Sequence, residues 1–472
     1  MQYDEEYFNS EDFQLMLSNY EESIASGNPL YLDADDFVDI ADYYNMHGDN
    51  DLARDTVKRG LAIFPDDTLL NVFMSRQALA SSNFKDARRY AARIADKDAP
   101  DYHYLKAEIL IAQQRITDAD RYLRELFRTI PPEEVQDYVK DVANLYVDYG
   151  ISRKAYEWMM RSPGDDSDDF KELMARALFG LGKYKDSQRL FNELIDHNPY
   201  SKHYWTALAT AQYMDEDYGA AVTSSEYAIA IDPDDPDSLI AKANSLLKLG
   251  NYEQAAEYYA RYAKACPTDV LGFLHQAACL VNIGRHQEAV SLLQTALPLA
   301  EGNDPILAQI YQELAFAYSG CGQLAKAMKA LDQTEDLPCD HSDMLVIRGH
   351  LLLSNQDIGG AEKAFRKAMR ESEGDPDIIL RIIVSVYDNH FLNACHQLFK
   401  HFFEGIAEPD YPHGHAYMAL CCWELGYEEE FLKYLRIATF RDPHEARAVL
   451  AHLFPEGMDV KDYYKYMKEK VG

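Results

Sequence analysis

Apolar and polar positions follow one another along this chain with the spacing of paired helices, most plainly between Lys202 and Asp235. Trp205, Leu208 and Ala209 fall on one face of a helix, a turn follows at Asp217-Tyr218, and Ala221 and Ala228 mark the packed face of a second helix. Pro233 stops that second helix, because it lacks an N–H and clashes one turn back. Asp235 then offers an N-cap oxygen to the next helix.

The same unit recurs on both sides. Small residues return about every 34 positions, at Ala53, Ala87, Ala119, Ala155, Ser187, Ala221, Ala255, Ala289, Ala327, Ala361 and Cys395. Each of the first ten has a small partner twelve positions earlier, at Ala41, Ser75, Ala107, Ala143, Ala175, Ala209, Ala243, Ala277, Ala315 and Gly349. Two small positions separated by a turn predict helices crossing at close range, since only a missing side chain lets backbones approach that far.

This pattern of Trp, Leu, Ala and Pro at fixed steps resembles the tetratricopeptide repeat. Twelve copies are readable, starting near residues 34, 68, 100, 136, 168, 202, 236, 270, 308, 342, 376 and 412. Ala holds the crossing position in nine of them, and Gly holds the turn at Gly48, Gly150, Gly182, Gly250, Gly284, Gly322 and Gly426. The resemblance implies an all-α fold, a right-handed superhelical α-solenoid of stacked antiparallel helix pairs. The predicted organisation is an N-terminal capping half-repeat over 1–33, a solenoid over 34–445 and C-terminal capping helices over 446–472. Such a stack grows without domain breaks, so one elongated body is expected.

Departures from the pattern carry their own expectations. Four extra residues at Glu301 to Leu307 lengthen one connection. Ile383 and Phe431 stand where small residues belong, which predicts wider packing in the last two repeats. Phe13, Leu17 and Tyr20 form the stripe of an N-terminal cap, and Tyr463, Tyr466 and Met467 that of a C-terminal one. The last helix also carries Lys461, Lys465, Lys468 and Lys470, read as a solvated face of the cap.

Composition narrows the partners. A net charge of −33 opposes nucleic acid and anionic membrane and favours a basic or neutral protein or peptide. Part of that charge is structural: Asp33, Asp67, Asp235, Asp269 and Asp375, with Ser167 and Ser201, precede first helices as N-caps. No apolar run reaches membrane-spanning length, and the start Met1-Gln2-Tyr3-Asp4-Glu5-Glu6 lacks the basic region of a signal peptide, so a cytoplasmic location is expected. The seven cysteines, all beyond residue 265, suit a reducing compartment and read as small core residues.

Chemistry-bearing motifs are scarce. Gly180-Leu181-Gly182-Lys183 lacks the first glycine of a phosphate loop, and Asp165-Asp166-Ser167-Asp168-Asp169 lacks the central Gly and closing Glu of a calcium loop. His396 and His401, or His413 and His415, miss the spacing of a zinc hydrolase. No cofactor, metal or catalytic residue is predicted, and the chain reads as non-enzymatic.

In tetratricopeptide domains, first helices line a groove through positions 2, 5, 9 and 12. In repeats four to seven these positions supply the candidate peptide-binding residues Lys140, Asn144, Arg176, Thr210, Tyr213 and Asn244. Lys140 and Asn144 match the start of the carboxylate clamp that the resemblance implies for some tetratricopeptide domains, but Leu173 replaces its next Asn. In repeats ten to twelve the positions turn apolar, with Leu353, Leu380, Val384, Tyr387, Leu420 and Trp423. That stripe reads either as a docking groove or as core. The expected function is a scaffold that binds protein or peptide in the concave groove; the alternative is a ligand-responsive regulator whose superhelix changes pitch.

Overall fold

The seven residues read as caps all cap. Side-chain oxygens of Asp33, Asp67 and Ser167 accept from the backbone N–H three residues on. Ser201 and Asp235 do the same, while Asp269 and Asp375 accept from the residue two positions on. Each cap satisfies a donor the helix start leaves open and places its oxygen at the positive helix end.

The computed structural model describes residues 5–27, 30–162, 164–405, 411–455 and 457–471, and among these the regular elements are helices alone. The chain forms two compact units, residues 1–217 and 218–472. In the first, the capping helix Glu11–Ser26 precedes the pairs Ala34–Met46 with Asn50–Ile63, Thr68–Ala80 with Phe84–Arg93, and Pro100–Ala112 with Ile116–Phe127. Val135–Asp148 with Ser152–Met159, Asp168–Gly180 with Tyr184–His197, and the helix Lys202–Met214 complete it. The second unit begins with Tyr218–Ile231 and continues through six pairs, from Pro236–Lys248 with Tyr252–Ala265 to His415–Leu425 with Glu428–Arg441. Pro443–Leu450 and Val460–Val471 close it, and Tyr463 and Met467 are buried there.

The small positions form the crossings. From Ala41 and Ala53 to Ala315 and Ala327, each alanine of the series is at most 1% exposed. Where serine substitutes, its hydroxyl finds the facing backbone: Ser75 Oγ donates to the Ala87 carbonyl and Ser187 Oγ to that of Ala175, both at 2.9 Å. The buried hydroxyl is thereby satisfied without separating the helices. Gly349 is smaller still because the Phe365 ring occupies the space a Cβ would need, its nearest atom only 2.2 Å away.

The turn between paired helices is set by the repeat, not by glycine. All seven predicted turn glycines have positive φ, and so do Ser82, Gln114, Glu216, Gln356 and His390 at the same position in the other five repeats. Closing the hairpin imposes a left-handed residue even where the side chain disfavours it.

Two expectations change. The extra residues before Leu307 extend a helix as well as the connection: Asp304–Gly320 is a 17-residue helix capped by Asn303, with a proline in its first turn. Ile383 and Phe431 are absorbed at 2% and 0% exposure. The Cys395 thiol still reaches the Ile383 carbonyl at 3.8 Å, so that crossing keeps its backbone contact despite the larger side chain.

Candidate functional site

In the first unit, helices Val135–Asp148, Asp168–Gly180 and Lys202–Met214 turn Ala143, Ala175 and Ala209 inward, which leaves the polar positions of the same helices facing out. Arg176 bridges two helices: Nη1 donates to Asn144 Oδ1 at 3.3 Å and Nη2 to Asp148 Oδ1 at 3.0 Å. Asn144 Nδ2 donates to Asp148 Oδ2 at 3.1 Å, closing a three-residue network. Lys140 instead pairs with Asp137 at 3.0 Å; that hydrogen bond, with Asp165 and Asp169 nearby, raises its pKa. Asn144 and Arg176 therefore meet across adjacent repeats, while Lys140, read with Asn144 as the start of a clamp, is committed to its own helix. Nothing here offers the open cationic clamp a peptide carboxylate requires.

The surroundings are acidic. Asp141 accepts from the Tyr104 hydroxyl at 2.9 Å, and burial raises its carboxyl pKa. Glu172 lies 3.0 Å from His203 Nε2, a hydrogen bond that holds its carboxyl below the usual range.

Arg176 and Thr210 share the wall of a cavity of about 350 Å³, whose remaining lining includes Val147, Phe179 and Phe191. The Thr210 hydroxyl donates back to the Thr206 carbonyl at 2.9 Å, while its side chain stays exposed. Tyr213 is half-buried on the same helix. Gly180 permits the close approach beneath the cavity: a Cβ there would stand 1.9 Å from Ser152 Oγ. That contact gives the glycine of the phosphate-loop-like fragment a packing role.

In the second unit, Asn244 accepts from the Tyr259 hydroxyl at 2.6 Å, so its carbonyl is already engaged. The C-terminal stripe is core, not an open groove. Leu353, Leu380 and Leu420 are buried, and Val384, Tyr387 and Trp423 are half-buried against the same cluster. Helix Pro376–Asp388 has buried apolar side chains on several sides, at Ile378, Leu380, Ile382, Ile383 and Val386, so the predicted inward positions are enclosed with the rest. Tyr387 spends its hydroxyl on Glu424 at 2.6 Å, and Trp423 packs 5.0 Å from the Phe431 ring.

One cluster escaped the sequence reading. His396, Cys422 and Glu430 bring their ligand atoms within 4.8 Å of one another. His396 does have a carboxylate partner, but on another helix, where a search for local spacing does not reach. The only sequence signal was the register itself, which places residues 34 apart at equivalent positions.

Comparisons with known proteins agree with the repeat geometry. A tetratricopeptide repeat model matches residues 74–131, and a model of anaphase-promoting complex, cyclosome, subunit 3 matches residues 195–296. Protein FlbA of Caulobacter vibrioides is 26% identical over 251 residues, covering 52% of this chain and 40% of its own length. The protein CTR9 homolog of Arabidopsis thaliana is 26% identical over 159 residues, which is 34% of this chain and 14% of its own. The chain thus spans less than half of either relative. A tetratricopeptide repeat protein from Parabacteroides merdae covers 54% of this chain and 99% of its own at 16% identity and a TM-score of 0.41. YrrB, a TPR protein with an unusual peptide-binding site, covers 41% and 95% at 18% identity and a TM-score of 0.35. Paired helices, buried small crossings, a left-handed turn in every repeat and the matching repeat model lead to one family: this chain is a tetratricopeptide-repeat protein.

Proposed function

We propose that the chain is a non-enzymatic interaction scaffold whose first unit holds an extended peptide of basic or neutral character along helices Val135–Asp148, Asp168–Gly180 and Lys202–Met214. Tetratricopeptide repeats form protein-interaction scaffolds, and this reading specifies where and what. The observation that carries it is the outward polar row, in which Asp137, Asp141, Asp148 and Glu172 outnumber Lys140 and Arg176, beside a cavity of about 350 Å³. Asn144 and Thr210 offer hydrogen bonds to a peptide backbone, the carboxylates attract its cations, and the cavity takes one apolar side chain. Its seven free cysteines suit the cytoplasm, and its charge disfavours nucleic acid.

The test is selection of peptides from a displayed library on the full chain, followed by calorimetry. Basic or neutral peptides are expected, with affinity falling as salt screens the carboxylates. Replacing Asp137, Asp148 and Glu172 together by Asn, Asn and Gln should weaken binding by roughly 1 to 3 kcal/mol per charged hydrogen bond lost. Unchanged affinity in that variant, with helicity intact, removes this face from the function.

A further inference from the structure

The terminal repeats of the second unit place three different ligand chemistries at one point. His396 lies on Leu392–Gly405, Cys422 on His415–Leu425 and Glu430 on Glu428–Arg441, three successive helices. His396 Nε2 stands 2.6 Å from Glu430 Oε2, and Cys422 Sγ stands 3.9 Å from the same oxygen. We propose that His396, Cys422 and Glu430 bind one divalent cation of the zinc class.

Imidazole nitrogen, thiolate sulfur and carboxylate oxygen are the donors zinc accepts, and a mixed set of this kind disfavours magnesium and calcium, which take oxygen. A tetrahedral ion with bonds of about 2.0 to 2.3 Å sets its ligand atoms roughly 3.3 to 3.7 Å apart. The His–Glu pair therefore opens by less than about 1 Å and the Cys–Glu pair closes slightly, shifts within the reach of side-chain rotation. His396 and Cys422 are buried, while Glu430 is partly exposed, so the ligands sit at the floor of a site with one open side. The fourth position falls to water.

That open side is held by Lys400, whose Nζ lies 2.9 Å from Glu430 Oε1. Lys400 is itself partly exposed, so it can swing into solvent when a cation takes over the carboxylate. Binding replaces the Cys422 thiol proton, which leaves to solvent, and involves no electron transfer. Cys395 and Cys421 stand apart from the ligand set because their thiols point to the Ile383 and Leu392 carbonyls. The bound ion would clip the last two helix pairs of the solenoid to one another.

Cobalt(II) is the probe, added to the untagged full chain, with zinc displacing it. The expected result is one ion per chain and a thiolate-to-cobalt charge-transfer band. Cys422→Ser should abolish the band, Cys321→Ser should leave it unchanged, and His396→Gln or Glu430→Gln should weaken binding at least about tenfold. Lys400→Met, which removes the competing cation without touching a ligand, should tighten binding several-fold. Absence of the band in the native chain, or a band that survives Cys422→Ser, overturns the assignment. Should the ligand variants fail to fold, Lys400→Met decides, and unchanged affinity there refutes it.

Discussion

Equivalent repeat positions have opposite fates in repeats four and six of the first unit and in repeat twelve of the second. Asn144 and Thr210 occupy the ninth position of their repeats and are exposed, whereas Leu420 occupies the ninth position of its own and is buried. Repeat register decides which direction a side chain leaves the helix. Whether that direction leads to water or into packing depends on the neighbours. Around Asn144 they are Asp148 and Arg176, which prefer solvent. Around Leu420 they belong to a continuous cluster that includes Leu380, Ile383 and Phe399.

The most damaging way to test this difference is Phe431→Ala. The ring is fully buried beside Trp423 and fills a crossing where other repeats need only alanine. Its loss should cost about 3 to 5 kcal/mol in denaturant melts, because the neighbouring side chains close only part of the cavity the ring leaves. A cost below about 1 kcal/mol would show that the crossing collapses freely around the smaller side chain.

Next come Leu380→Ala and Leu420→Ala, compared with Asn144→Ala. The leucine variants should lose about 2 to 5 kcal/mol of stability. Asn144→Ala should stay within about 0.5 kcal/mol, as surface substitutions do. Similar costs for all three would erase the distinction between stripe and groove.

Acidity gives a third handle, with opposite signs at one carboxyl of each unit. Burial pushes the Glu313 carboxyl of the second unit up to about 7 from its ordinary 4.5. The folded state therefore holds a proton that the unfolded state releases, and stability falls as pH rises from about 4.5 to about 7. Glu313→Gln should flatten that decline, which amounts to something on the order of 3 kcal/mol. Glu172 of the first unit is held low by His203, so its contribution is present above the normal carboxylate range and is lost as pH falls. Melts of the native chain, Glu313→Gln and Glu172→Gln across pH 4 to 8 separate the two effects; no change in slope for Glu313→Gln would place that carboxyl in water.

The parts of this molecule that were legible in its sequence are those set by neighbours along the chain. Asp33, Ser167 and Asp235 cap because their oxygens need only reach an N–H two or three residues away, and Ala255 or Ala289 marks a crossing because small size is itself the signal. Asn144 and Arg176 could be paired from register alone. Asp148, one turn after Asn144, was overlooked as the anion that saturates Arg176. The enclosure of Leu353, Leu380 and Leu420 was undecidable, since it depends on packing from several repeats at once. His396, Cys422 and Glu430 were invisible to motif spacing because each comes from a different helix. The turn residues Ser82, Gln114, Gln356 and His390 were missed for another reason: their composition argues against the left-handed backbone that the hairpin forces on them.

Those turns supply the smallest and most even-handed prediction. Ser82 and Gln114 lie in the first unit, Gln356 and His390 in the second, and their φ values span only 54° to 65°. Their backbone N–H groups all donate three residues back, to Leu79, Ile111, Leu353 and Tyr387, at 2.8 to 2.9 Å. An L side chain in this conformation costs about 1 to 2 kcal/mol, and glycine returns about 0.5 to 1 kcal/mol of that gain as unfolded-chain entropy. Each single change to glycine should therefore stabilise by roughly 0.5 to 1 kcal/mol, read as a higher denaturant midpoint at constant slope. Equal gains in both units would confine their difference to the helix faces and leave the hairpins common to both. A gain restricted to one unit would mean that its turns are strained by packing as well as by backbone, and the contrast would then reach into the repeat frame itself.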